Sequence, residues 1–310
     1  MTGLCKSQID ADPFFTISQN PLADSNYLVY LRHTYGKKIY IPSDEDSQIC
    51  FNEYLTDAQE RLKQGKLKPG EDVRVVDNRV VVSGQVAVMQ INGLLAKMIF
   101  EHNTNHDFYI EESFPLEWMY PYLVPHGLIF HLERRPLASL SPEIVAKDQA
   151  YWRSFCQSAI GGWLTETSTV KEVCDYARKT FLEHHFAEFN VDRKFISDDH
   201  AQKAFSKLRS SIAGVYGWRL KDASEPAERQ RMSAAADLAF RQAFALCPDS
   251  PEAVFRYVEL LTQADRLDDA LAIARTALDM DRTNRQVKNL VDKVMDMQRV
   301  KGNRSGEHEK

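Results

Sequence analysis

Two adjacent carboxylates, Glu111 and Glu112, follow the apolar run FYI at 108–110, and Trp118 and Tyr120 come shortly after them. Acids beside aromatic rings suit a glycan hydroxyl or a divalent cation, with a ring as the floor for a sugar. Two earlier stretches have strand character, PFFTISQ (13–19) and IYIP (39–42), and each is followed by polar residues. Asn20 and Asp24 follow the first; Ser43, Asp44 and Asp46 follow the second. If these stretches join one open sheet, all of these groups collect at its carboxyl edge, where such sheets bind ligands. Neighbouring residues on a strand point to opposite faces, so Glu111 and Glu112 are a poor acid/base pair for one glycosidic bond. A binding or docking edge is therefore the first reading, and a soluble carbohydrate-active enzyme the alternative. The plain structural account is that Asp44 and Asp46 decorate a helix start, Asn20 and Asp24 make turns, and Trp118 and Tyr120 pack a junction. One of the two glutamates then pairs with Arg134 or Arg135.

Other chemistry-bearing residues are less convergent. His184 and His185 are adjacent on a helix and point apart, whereas helical metal sites prefer spacings of three or four. His126 and His131 flank a strand start without a matching cysteine or acid. Five cysteines, at 5, 50, 156, 174 and 247, are far apart and lack CxxC spacing. They read as free thiols and not as a metal site. No GxSxG, HExxH or phosphate-binding glycine loop occurs, and Gly161-Gly162 reads as a helix break. No cofactor or metal is implied. In KLRSS, Lys207 and Arg209 precede Ser210 and Ser211; a phosphate contact is conceivable, but a solvated helix face is the expected role.

The formal net charge of -5, from 39 basic and 44 acidic residues, comes without a dense basic stripe. A nucleic-acid partner is not expected, because phosphate neutralisation dominates such binding. No apolar run reaches the roughly 18 residues needed to cross a bilayer. The amino-terminal residues show no apolar signal core.

The elements that must position these residues alternate at first. Helices are expected at 25–36, 43–65 and 85–102 from their apolar spacing and stop signals. VRVV-DN-RVVV is a hairpin, two β-branched runs around two residues that tolerate left-handed backbone. FYIE (108–111) and GLIFHLER (127–134) are strands, and Pro115, Pro121 and Pro125 forbid a long helix between them. Together these predict a mixed-sheet three-layer α/β domain over 10–136. From Ser141 the period is helical. Thr169 and Glu172 form a capping-box pattern, and Ser197 is placed to cap a later helix. Ala236, Phe240, Ala243 and Pro248 are spaced as in the second helix of a tetratricopeptide repeat. Ala270, Ala274 and Ala277 repeat the pattern about 34 residues on. A helical domain over 137–300, with repeats at about 202–296, and a disordered tail over 301–310 complete the expectation.

Several passages resemble a known family: ESFPLEWMYPYLVPHGLI, KAFSKLRSSIAGVYGWR, DPFFTISQNPLADSNYLVYLR, KLKPGEDV and RQAFALCPDSPEAVFRYVELL. They are similar to the soluble carboxy-terminal region of bacterial polytopic membrane proteins described as glycosyltransferase-like and related to protein O-mannosyltransferases. The resemblance runs from about Asp12 to Met295. It implies a lipid-linked sugar transferase system at the extracytoplasmic face of the inner membrane, with this region attached. In transferases of that architecture the catalytic carboxylate lies in a loop among membrane helices. No position here inherits it, so the chain reads as a separated or truncated piece or one part of a split gene. The expected function is a non-catalytic accessory module that binds a membrane glycosyltransferase subunit or an acceptor protein. A generic repeat scaffold is the other alternative.

Overall fold

A computed structural model of the chain describes residues 15–77, 79–111 and 116–307. The chain divides into two compact units, one ending at His106 and the other beginning at Asp107. The boundary expected near 136 thus falls inside the second unit.

The first unit holds helices α1 (Ser25–Tyr35), α2 (Asp44–Lys63) and α3 (Gly84–His102), with the hairpin β1 (Asp72–Val76) and β2 (Arg79–Ser83) between the last two. The hairpin forms where the sequence places it, in the register Val76↔Arg79 to Asp72↔Ser83. Its inner face packs Val73, Val80 and Val82 against Tyr54, Ala58 and Leu62 of α2 and Ala87, Ile91 and Leu94 of α3. Asp24 caps α1 by accepting from the Asn26 N–H at 2.8 Å. Ser43 and Asp46 form a reciprocal capping box on α2, which satisfies two donors that a helix start leaves unpaired.

The three-layer α/β arrangement does not form among the described residues. Neither 15–19 nor 39–42 is a strand, and the only pairing among this unit's described residues is β1 with β2. Two asparagines, Asn92 in α3 and Asn103 just past its end, explain why. Asn103 accepts from the Tyr40 N–H at 2.7 Å and donates to the Tyr40 C=O at 3.0 Å. Asn92 accepts from the Ala23 N–H and donates to the Asn20 C=O. A side-chain amide thereby offers the backbone what a neighbouring strand would have offered. Ile39 and Ile41 are buried as a strand pattern suggests, but no sheet is needed to bury them.

Glu71, just before β1, is enclosed by Arg61, the Tyr54 hydroxyl at 2.9 Å and the Lys68 N–H at 2.9 Å. Burial by itself raises its pKa; the Arg61 hydrogen bond, then Lys68 and Tyr54, outweigh burial and hold it below the usual carboxylate range. A depressed folded pKa stabilises the fold above the unfolded value of about 4.3 and is lost as pH falls through the folded value. Glu71→Gln is expected to cost about 1–3 kcal/mol at neutral pH and to flatten the acid dependence of stability. Urea titrations at neutral pH and below about pH 4 check this; equal losses at both would assign the effect to packing.

The second unit opens with a three-stranded antiparallel sheet, β3 (Phe108–Ile110), β4 (Leu123–His126) and β5 (Ile129–Leu132), in the order β3-β5-β4. β4 lies in the stretch where the prolines exclude a long helix and where no strand was expected. Pro125 pairs with Phe130 on the outer strand, where a missing N–H costs least. Helices follow: α4 (Pro142–Ile160), α5 (Val170–Ala177), α6 (Arg193–Ser197), α7 (Asp199–Asp222), α8 (Pro226–Leu246), α9 (Pro251–Gln263), α10 (Leu267–Met280) and α11 (Arg285–Glu307). A π-helical turn at Arg178–Leu182 extends α5. The Thr169–Glu172 capping box is present. Ser197 does not cap α7: Asp198 accepts from the Ala201 N–H, and Ser197 Oγ donates to the Lys194 C=O inside α6. The helix α11 continues through 301–307, where a disordered tail was expected, since extending a helix is far easier than nucleating one.

Candidate protein-binding surface

Small residues set the spacing of the repeat helices. Ala236, Ala239 and Ala243 of α8 and Ala270, Ala274 and Ala277 of α10 are all buried. α7 pairs with α8, α9 with α10, and α11 packs on α10. The outer helix of each pair is already covered by the chain's own earlier segments. α4 and α5 lie on α8, and α5 with its π-helical turn lies on α10.

Arginines fasten this packing. Arg219 of α7 donates to the carbonyls of Leu137 and Pro121, the latter at 2.8 Å. Arg231 of α8 reaches the Leu140 carbonyl at 3.1 Å, and Arg241 reaches those of Ser168 and Glu166. Arg209 of α7 and Asp148 of α4 form a fully buried ion pair at 2.8 Å. Sequence reasoning placed KLRSS on a solvated face; instead Arg209, Ser210 and Ser211 are buried. The signal was on α4, where Asp148 shares an apolar stripe with Val145, Trp152 and Cys156. A carboxylate on such a stripe calls for a buried cation.

The face shared by α7 and α9 stays partly open, as does the outer side of α11. Lys207 meets Glu252 at 3.8 Å. Arg256 of α9 crosses to α7, where its Nη1 lies 3.4 Å from the Ser210 carbonyl. Gly214 admits this crossing, because a Cβ there would sit 3.0 Å from Arg256 Nη1. Trp218, one turn further along α7, packs against the Tyr120 ring at 5.5 Å. Burial raises the Tyr120 pKa and lowers that of Arg256, and the two interact electrostatically. Glu259 and Gln263 continue the face into solvent. The result is a half-exposed strip with an aromatic wall and a guanidinium, a composition suited to anchoring a polypeptide.

Of the residues selected as a sheet-edge site, only Tyr120 belongs to this strip, which Lys207 of KLRSS also borders. Asn20 contributes its carbonyl to Asn92, Asp24 and Ser43 cap helices, and Asp44 pairs with Arg32 at 2.9 Å. Glu111 is exposed after β3, Glu112 lies outside the described residues, and Trp118 meets Tyr122 edge-on at 6.2 Å. The sheet edge that was to gather them is absent among the described residues. His126 and His131 do share a sheet face, flanking Tyr109 at 5.3 and 5.1 Å. Glu133 holds the His131 ring at 3.2 Å, and burial, then Lys147 and His131, lowers the His126 pKa. Among the described residues no three His, Cys, Asp or Glu side chains converge as a metal site, and no helix is long and apolar enough to cross a membrane.

No curated protein and no solved structure matches the chain. The tetratricopeptide repeat family matches residues 229–294, which span most of α8 through the first half of α11.

Proposed function

We propose that the chain acts as a protein-binding scaffold and that the α7/α9 face receives the partner. One observation carries the reading: the outer helices of the repeat are covered by α4 and α5, while α7 and α9 keep a half-exposed strip in which Trp218 and Arg256 are placed as anchors. Stacked helix pairs offer extended binding surfaces of this kind. The sequence resemblance supports a finer reading, in which the partner is a membrane glycosyltransferase-like subunit or its acceptor protein.

A photo-cross-linking residue placed at Lys203 or Glu259 is expected to capture a partner in cells, while the same residue at Ser154 on α4 is not. Equal capture from both faces defeats the scaffold reading. A captured partner that is neither a polytopic membrane protein nor a glycosylated acceptor defeats only the finer one. Trp218→Ala and Arg256→Ala are each expected to weaken binding of the captured partner by about 2 kcal/mol, roughly thirty-fold, as buried aromatic and arginine anchors do. Titration of the purified pair measures it.

A further inference from the structure

The hairpin of the first unit carries a second surface, independent of the α7/α9 face. Two strands alone make a marginal sheet, and among the described residues β1 and β2 have no other neighbour, so each keeps an outer edge. Val75, Val76 and Val81 are 60%, 50% and 46% exposed. Proteins commonly protect such edges with lysine, proline or a bulge; β2, Arg79-Val80-Val81-Val82-Ser83, has none of these along its centre.

The register determines which groups face outward. Two residues separate the last rung, Val76↔Arg79, so that rung is a hydrogen-bonded pair, and the pairs alternate from there. Arg79, Val81 and Ser83 therefore spend their N–H and C=O groups on β1. Val80 and Val82 turn theirs to the free edge.

We propose that β2 pairs antiparallel with β2 of a second copy about a two-fold axis through Val81. Full overlap sets Val80 opposite Val82 of the second copy and Val82 opposite its Val80, giving four new backbone hydrogen bonds. Val81 meets its own counterpart at the closer, non-hydrogen-bonded position, where side chains touch. On the inner face Val75, Val80, Val82 and Val73 become one continuous row across the two copies. On the outer face Arg79 lies beside Ser83 of the second copy, with Asp72 beyond it, a complementary arrangement of charge. Full-overlap pairing through β1 instead sets Arg74 against Arg74, like charges directly opposed. The occupant that fits the β2 edge is therefore another molecule of this chain, and the product is an isologous dimer with a four-stranded sheet.

Light scattering on the full chain is expected to give twice the 35.6 kDa of the single chain. Val81→Lys and Val81→Asp are each expected to run as monomers with unchanged far-ultraviolet circular dichroism and melting temperatures that no longer depend on protein concentration, since each sets like charges face to face on the axis. Mixed in equal amounts, the two variants are expected to recover the dimer. Arg79→Asp, which turns a carboxylate toward Asp72 of the second copy, is expected to weaken the dimer about tenfold. A monomeric wild type, a dimeric Val81→Lys, or a mixture that stays monomeric overturns the proposal.

Discussion

Asp148→Ala is expected to destabilise the second unit by about 3–5 kcal/mol, the usual cost of stranding one member of a buried ion pair. The carboxylate accepts from Arg209 Nη1 at 2.8 Å and from the Tyr216 hydroxyl at 2.8 Å. Arg209 also donates through Nε to Gln242 at 2.8 Å and lies over the Trp152 ring at 5.0 Å. Burial, then the Asp148 charge, pushes the Tyr216 hydroxyl pKa well above its ordinary value, so it stays a donor. Without Asp148 the guanidinium keeps one amide and one ring, with no counter-charge and no access to water. Its desolvation cost is then uncompensated. At about 2–4 °C per kcal/mol for a unit of this size, the melting temperature is expected to fall by roughly 6–20 °C. The double variant Asp148→Leu with Arg209→Met is expected to lose clearly less, because it removes both charges together. Additive losses in that cycle would refute the coupling.

Gly161→Ala is expected to be equally damaging, by a different route. Gly161 ends α4 at φ 83°, a region that L side chains enter at a cost of about 1–3 kcal/mol. The larger effect is steric, since an added Cβ would fall 1.7 Å from the Phe189 carbonyl oxygen. The strand of chain at 186–192 would have to withdraw. With it would go the Asp192 N–H bond to the Ala159 carbonyl at 3.1 Å and the Phe189 ring, which packs on Tyr176 at 4.8 Å and Trp163 at 5.6 Å. Gly162 supplies an internal comparison. Its Cβ would meet only Gln157 Cγ, at an ordinary 3.8 Å, so Gly162→Ala is expected to change little. Thermal melts and near-ultraviolet circular dichroism of the two variants decide the matter. Similar behaviour of both would show that the 186–192 segment yields without loss.

Local signals held at most places where the physics is local; the exception is Ser197, one residue short of the cap that Asp198 supplies to α7. The DN turn between two valine-rich runs specified a hairpin because only a few residues near those dihedrals can close it. Thr169 and Glu172 specified a helix start because both partners of the capping box lie within one turn. The alanine spacing at 236–243 and 270–277 specified paired helices because close helix approach leaves room for little else at those positions. The pair Gly161-Gly162 marked the end of α4 because a backbone at positive φ excludes other residues.

Tertiary structure decided the rest, and the reason in each case is a partner far away in sequence. A strand exists only if another backbone pairs with it. At 39–42 that role went to the Asn103 side chain, 63 positions from Tyr40; no propensity in IYIP records it. Glu111 and Trp118 looked like a site while one sheet edge was assumed to collect them, and that edge is not present among the described residues. Arg209 looked solvated because its counter-ion, 61 positions earlier, was not yet beside it. The chain's own residues thus determined where helices begin and end and that a repeat is present. Folding determined which charges are buried, which strands pair, and which faces of the repeat stay open, because burial and pairing belong to contacts between segments and not to any segment alone.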